Sequence, residues 1–312
     1  MRRRRGRCGR VRPMVFTDIE FPEAARAALA EHWGVRTGAE PRRLHGGEES
    51  AAFALGTLAV RLGPRSRSTA EAEWCHAVAL HAAASLPEAV VPLPAAGGGT
   101  VVRVDGRPMT VWPLIDGAWP DEDEPGTAAR AARLLARLHT ALADMDPGPR
   151  PVPSFLVEGI DGGAPPADPA LRDPDLDRWL AAFHRAGPRR HPVHGDFYAG
   201  NTLAADGELV AVLDWDEACV AAPEAEVASA AMEWSGEFAD DMPAMRAFTA
   251  EYAEAGGTAG RIDDEVLVQF VRHRLRREAA YYLLARERGV RHGPEDVEYH
   301  EQRMEAFKRI RP

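Results

Sequence analysis

The sequence predicts an α+β protein of two lobes: a small N-terminal lobe built on an antiparallel β-sheet with a helix, and a larger, mainly helical C-terminal lobe. Three observations predict it. Two β-hairpin patterns with a helical stretch between them fill the first third of the chain. An acidic, proline-containing link at Pro120–Gly126 then marks a change of texture. Beyond Glu224 almost every stretch has helical periodicity. A length of 312 residues suits two lobes better than a single core.

The elements follow in order. Phe21–Trp33 reads as a helix, with Pro22 in its first turn and Gly34 at its end. Ser50–Leu55 and Thr57–Leu62, separated at Gly56, read as a hairpin. The Ala- and Leu-rich stretch Thr69–Ala84 carries acids early, as a helix does. Val101–Val104 and Pro108–Ile115 flank Asp105-Gly106-Arg107, whose Asp-Gly pair is hairpin-turn chemistry. The lobes are expected to join near Asp116–Gly117, giving residues 15–116 and 117–312. Thr127–Ala143 has Leu134, Leu135 and Leu138 at helical spacing. Asp146–Pro169 reads as a Pro/Gly-rich loop and Leu171–Arg185 as a helix. Asn201–Ala204 and Leu209–Leu213 read as two strands around Ala205-Asp206-Gly207, and Asp263–Glu287 and Pro294–Ile310 as long helices. No internal repeat is present.

Composition narrows the function. Hydrophobic residues at 45% and charged residues at 28% are ordinary for a globular chain. No apolar run of membrane-spanning length exists, so no membrane role is expected. Residues 1–14 read as a disordered basic tail, not a targeting signal, because no apolar core follows the arginines. Arg2, Arg3, Arg4, Arg5, Arg7, Arg10 and Arg12 lie in that tail; setting these seven aside moves the net charge from −10 to −17. Such a surface repels nucleic acid and attracts small cations, or serves solubility alone. Cys8, Cys75 and Cys219 form no C-x-x-C pair, which points to a reducing cytoplasm. Lys308 is the only lysine. No obligate protein partner is evident.

The chemistry lies in His194-Gly195-Asp196-Phe197-Tyr198-Ala199-Gly200-Asn201, which leads into the strand pair ending at Asp214-Trp215-Asp216. Phosphoryl transfer needs one carboxylate for the acceptor hydroxyl and oxygen ligands that hold a divalent cation against the phosphates. A loop carrying Asp196 and Asn201, with a hairpin returning Asp214 beside them, supplies all three from contiguous chain. Mg2+ accepts one carboxylate and one amide oxygen when water completes its shell.

The H-G-D-x-x-x-x-N loop and the D-W-D after a hairpin resemble the aminoglycoside phosphotransferase/choline kinase-like family, whose fold is protein-kinase-like. The resemblance spans Arg36 to Gly257. It implies that Asp196 is the catalytic base, that His194 braces the loop, and that Asn201 and Asp214 bind Mg2+. It further implies a nucleoside triphosphate, ATP or GTP, as co-substrate. Leu44-His45-Gly46-Gly47-Glu48-Glu49-Ser50 stands where the family has its nucleotide loop, so Gly46, Gly47 and Ser50 are expected near the phosphates. Val111 to Gly117 resembles the hinge that contacts the nucleotide base, through Trp112, Pro113, Leu114 and Ile115. Pro113 has no N–H to offer but keeps its carbonyl. His139, in the family's L-x-x-L-H helix, reads as a packed residue.

Two departures from the family pattern stand out. Arg61 occupies the strand position where the family offers a lysine to the phosphates, with Glu73, in preference to Glu71, as its expected partner. Glu226 stands where the family has an Asp, in a bracing role. The acceptor is expected to be a small hydroxylated compound. Glu224, Glu226, Glu233, Glu237, Asp240, Asp241, Glu251 and Glu254 tilt the expectation toward a cationic, aminoglycoside-like antibiotic. Trp234, Phe238 and Tyr252 are candidates to stack on it. A neutral metabolite or macrolide, choline, homoserine or a thio-sugar remain alternatives, as does a nucleotide-binding pseudokinase produced by the lysine-to-arginine change.

Overall fold

The computed structural model describes residues 19–44, 50–157, 166–287, 289–290 and 292–312. The basic N-terminal tail and the glycines Gly46 and Gly47 lie outside the described residues. Helix α1 (Glu23–His32) precedes strands β1 (Arg42–Leu44), β2 (Ala51–Leu55) and β3 (Leu58–Leu62), then α2 (Thr69–Ala83), β4 (Val102–Val104) and β5 (Arg107–Pro113). The strands form one antiparallel sheet in the order β1-β2-β3-β5-β4. Asp105 and Gly106 both have positive φ, which is why an Asp-Gly pair closes the β4–β5 turn. Phe53, Leu55, Val60, Leu62, Met109 and Val111 pack beneath Leu29 of α1 to make a small apolar core.

Helix α2 begins where Ser68 caps the N–H of Glu71. Its Val78, Ala79 and Ala82 join the larger core with Leu134, Leu135 and Leu138 of α3 (Thr127–Leu142). The small sheet's helix is thereby packed against the helical lobe. Leu114 N–H donates to Thr57 O at 2.9 Å, and Ala118 and Ala204 exchange two backbone hydrogen bonds at 3.0 and 2.7 Å, so the connecting strap is held by both lobes.

The larger lobe continues with α4 (Pro174–Arg185), β6 (His191–Val193), β7 (Thr202–Ala205), β8 (Glu208–Val212), β9 (Cys219–Ala221), α5 (Pro223–Glu233), α6 (Met242–Glu254), α7 (Asp264–Glu287) and α8 (Pro294–Arg309). α4 starts three residues later than the sequence suggests. Asp173 caps Leu176 N–H and Pro174 opens the helix, while Pro169–Leu171 forms a separate 3-10 turn. β7 pairs with β8, and β6 with β9, both antiparallel. These two ribbons bracket the segment from His194 to Asn201. Among the described residues no helix is long and apolar enough to cross a membrane.

Candidate active site

The loop between β6 and β7 is shaped from beneath by a buried carboxylate. Glu226, on the first turn of α5, accepts His194 N–H at 3.1 Å and Gly195 N–H at 2.5 Å. His139 Nε2 lies 2.7 Å from the same carboxylate, and His139 Nδ1 lies 2.7 Å from Tyr252 Oη. Burial pushes the Glu226 carboxyl up, but His139, His194 and the Gly195 N–H hold it below its ordinary range. Glu226 is therefore a brace for the loop backbone, and His139 is a packed residue with no solvent exposure. Gly195 has φ of +87°, and a Cβ there would lie 2.1 Å from Glu217 O, so only glycine fits.

His194 links the loop to the returning hairpin. Its Nε2 lies 2.8 Å from Leu213 O, and its Nδ1 lies 3.3 Å from the N–H of Asp196. The arrangement suits the tautomer that donates from Nε2 and accepts at Nδ1. Asn201 Nδ2 donates to Asp196 O at 2.9 Å and to Asp196 Oδ2 at 3.0 Å. Leu213 N–H in turn donates to Asn201 O at 2.8 Å, which sets Asp214 beside the loop. Asp214 holds a left-handed conformation at φ of 56°, a strained geometry for a residue that bears Cβ.

Asp214 and Asp216 differ sharply although two residues apart. Arg61 Nη2 lies 2.9 Å from Asp214 Oδ1 and 3.0 Å from Oδ2, and 2.8 Å from Asp216 Oδ2. Its N–H is directed at Oδ2, so the buried Asp214 Oδ1 is left without a hydrogen bond. Asp216 gains a second guanidinium from Arg67 at 2.8 Å. Burial and the neighbouring Asp216 and Asp196 raise the Asp214 carboxyl in spite of Arg61. Against the same burial, Arg61 and Arg67 hold Asp216 low. An under-compensated carboxylate oxygen beside an asparagine is a hard-oxygen donor set of the kind a divalent cation takes.

The structure corrects the pairing expected for Arg61. Glu73 does not meet it. The Glu73 carboxylate accepts Thr100 N–H at 2.7 Å, Thr100 Oγ1–H at 2.7 Å and Val101 N–H at 3.0 Å, tying α2 to the start of β4. Glu71 faces Arg150 at 3.5 Å. The two aspartates after β8 take the place of the helix glutamate, because the Arg61 side chain reaches both from β3. The expected base-binding strap Trp112, Pro113, Leu114 and Ile115 is half-buried at the end of β5. Its Leu114 N–H is already engaged by Thr57, and Trp112 Nε1 donates to Thr110 Oγ1 at 2.8 Å. Ser50 is buried at the entry to β2.

Three residues with no sequence signal join the site. Arg150 Nη2 donates to Asp216 O at 2.8 Å from the loop after α3. Glu217 accepts Ser154 Oγ–H at 3.2 Å and Phe155 N–H at 3.0 Å. Arg274, in the middle of α7, lies 2.7 Å from Asp196 Oδ1. Each is remote in sequence from the loop it meets, and Arg274 reads locally as one charge among many on a helix.

A small antiparallel sheet above a helical lobe, with an Asp–Asn loop and a returning Asp at their junction, defines a protein-kinase-like phosphotransferase fold. Residues 40–261 match the phosphotransferase enzyme family, and the chain belongs to it, as an enzyme that phosphorylates an alcohol group of a small molecule. It is 26% identical over 233 residues to the homoserine kinase of Granulibacter bethesdensis, covering 70% of this chain and 72% of that protein. A choline/ethanolamine kinase family protein from Mesorhizobium loti superposes with a TM-score of 0.64 at 17% identity, over 91% of this chain and 92% of that one. The amicoumacin kinase hAmiN, in complex with AMP-PNP, Ca2+ and Ami, superposes with a TM-score of 0.64 at 13% identity, over 86% and 88%.

Proposed function

We propose that this enzyme transfers the terminal phosphoryl group of a nucleoside triphosphate, ATP or GTP, to the hydroxyl of a small amine-bearing acceptor. Asp196 is the base, and Asn201 and Asp214 hold Mg2+. The observation that carries the reading is the convergence of Asp196, Asn201 and Asp214 around one buried brace, with Asp214 Oδ1 near Arg61 but without a hydrogen bond. In this reading Asp196 accepts the acceptor's hydroxyl proton as its oxygen bonds to phosphorus and the bridging P–O bond to the nucleoside diphosphate breaks. His194 and Glu226 hold the loop in place. Bound at Asn201 and Asp214, the cation supplies charge neutralisation for the phosphates. Arg61 offers a second positive charge on the nucleotide side, and Gly46, Gly47 and Ser50 complete that side in this proposal.

A small acceptor is favoured over a polycationic antibiotic because four of the eight acids that suggested the latter have other partners. Glu226 braces the loop, Glu233 pairs with Arg303 at 2.7 Å, Glu251 pairs with Arg133, and Asp241 caps α6. Trp234 and Tyr252 are core residues. Homoserine and the choline and ethanolamine of the similar proteins' names each join a hydroxyl to an amine or ammonium, and the two that are net cations, choline and ethanolamine, are the chemistry a body of charge −17 attracts. The test measures nucleoside diphosphate release with Mg2+ over a panel of amino alcohols, aminoglycosides and macrolides. Asp196→Ala is expected to lower transfer by about a thousandfold or more while nucleotide affinity, read by calorimetry, stays within a fewfold. Undiminished transfer in that variant overturns the assignment. Nucleotide binding with no acceptor or water turnover points instead to a pseudokinase.

A further inference from the structure

The family match ends at residue 261, yet the site does not. Arg274 of α7 lies 2.7 Å from Asp196 Oδ1, and its Nε lies 2.5 Å from Glu278 Oε1 one turn on. Glu278 Oε2 lies 2.5 Å from Arg303 Nε of α8. Arg303 Nη2 lies 2.7 Å from Glu233 Oε1, at the end of α5, and its Nη1 donates to Tyr299 Oη at 2.8 Å and Glu237 O at 3.0 Å. Five charged groups of alternating sign, Asp196, Arg274, Glu278, Arg303 and Glu233, thus run from the expected base into the C-terminal helix. Arg303 is 1% exposed and Arg274 8%.

We infer that Arg274, Glu278 and Arg303 form a chain of positioning residues that fixes the plane of the Asp196 carboxylate, which makes α8 part of the catalytic machinery. The inference rests on the role proposed above for Asp196. Among the described residues each Asp196 oxygen has one partner, Arg274 on Oδ1 and Asn201 on Oδ2, so rotation of the carboxylate breaks a charge-assisted bond on one side or the other. Arg274 is itself oriented from two directions. Glu278 holds its Nε, and its guanidinium carbon sits 5.1 Å above the Phe155 ring. Glu278 is held by Arg303, and Arg303 by Glu233 and Tyr299.

Stability alone is a poor reason for such a chain. Apolar residues of similar volume commonly serve a buried position as well as an ion pair does. Here, moreover, Arg274 Nη1 is buried with no hydrogen bond, and leaving a buried donor unsatisfied carries a cost. A base that must meet an acceptor hydroxyl within a narrow range of angle and distance is the kind of group for which that cost is retained, since a misplacement of about 1 Å lowers rates by roughly a hundredfold.

The test compares Arg274→Met, Arg274→Lys, Glu278→Gln, Arg303→Met and the Arg274→Met/Glu278→Gln double variant in the full chain. The readouts are kcat and KM for the best acceptor, or for water where no acceptor is found, together with nucleotide affinity. Arg274→Met is expected to lower kcat about a hundredfold, with acceptor KM and nucleotide Kd within about threefold. Arg274→Lys is expected to recover about tenfold of that. Glu278→Gln is expected to lower kcat about tenfold alone but less than about twofold in the Arg274→Met background, because its effect passes through Arg274. If Arg303→Met does not fold, Glu278→Gln carries the comparison. The inference fails if the single effects multiply, if the variants lower the melting temperature with kcat unchanged, or if Arg274→Met raises acceptor KM at constant kcat. A wild type that neither transfers nor hydrolyses sinks the reading of Asp196 itself, which separates the two failures.

Discussion

The proposed catalytic loop and the proposed phosphate side of the small sheet meet at Asp214, and they are held in opposite ways. The loop from His194 to Asn201 is fixed by its own lobe: Glu226 from α5, Leu213 from the end of the β7–β8 hairpin, and Arg274 from α7 all reach it. Among the described residues Arg61, on β3, has no carboxylate partner from its own sheet; Asp214 and Asp216, its partners there, come after β8 in the other lobe. The glutamate that might have served it, Glu73, secures the entry to β4 instead. The loop is thus preorganised before any substrate arrives. Arg61 is shared between Asp214 and Asp216, so the small lobe's charge is tied to the other lobe.

The largest expected effect comes from cutting the loop's brace. Glu226→Ala removes a fully buried carboxylate that accepts two backbone N–H groups and faces His139, which leaves three buried groups without their partner. A loss of about 3–5 kcal/mol of stability is expected from calorimetric or denaturant unfolding, together with a fall in kcat of roughly a hundredfold. An active, equally stable variant would mean the loop is shaped by something other than α5.

The phosphate side is expected to respond through binding, not through the chemical step. Arg61→Met removes charge-assisted contacts with a net value of about 1.5–3 kcal/mol, so nucleotide KM is expected to rise between about tenfold and a hundredfold. Glu73→Gln is the control that sharpens the comparison. It is expected to lower the melting temperature while moving nucleotide KM by less than about threefold. A large KM effect there would restore the pairing that the structure replaces.

The last effect, confined to acid pH and to neither region, is an acid sensitivity. Burial pushes His76 and His191 down to about 4 and His273 to about 3. Each is neutral in the folded chain at a pH where the unfolded chain binds a proton, so stability is unaffected above about pH 7. It then falls as pH drops through 6.5 toward 4. Glu226, held low when folded, adds to the loss as pH falls through its own folded value. Melting temperatures taken from pH 8 to pH 4.5 are expected to decline only in the lower half of that range. A flat profile would show that these imidazoles are solvated.

Much of this was legible in the sequence, and the reason is local. The helix bounds at α1, α2, α3, α7 and α8 and the strand pairs of the small sheet agree with the sequence pattern to within two or three residues. Periodicity and turn chemistry are local properties, and so is the spacing of Asp196, Asn201 and Asp214. The three-residue strands β1, β6 and β9 were not legible, because so short a strand shows no alternation. β6 even contains Pro192, and its partner β9 begins twenty-six residues after it ends. The choice between Glu71 and Glu73 for Arg61 failed for a related cause. Sequence can place both acids on one helix, but only the tertiary fold brings Asp214 and Asp216 to Arg61 in place of either. Arg274 and Arg303 sit on helices dense with charge, and nothing in their neighbours distinguishes an internal guanidinium from a solvated one.

One property of the site reaches beyond catalysis. Its cations, Arg61, Arg67, Arg150 and Arg274, are all guanidinium groups, and the chain's only amine-bearing side chain, Lys308, pairs with Glu305 near the end of α8. Chemical probes that acylate a lysine beside a bound nucleotide therefore have no target in this cleft, and a proteomic survey based on them would pass over the enzyme however active it was. Dicarbonyl reagents that react with guanidinium groups are the matching chemistry, with nucleotide protection as the signature of occupancy.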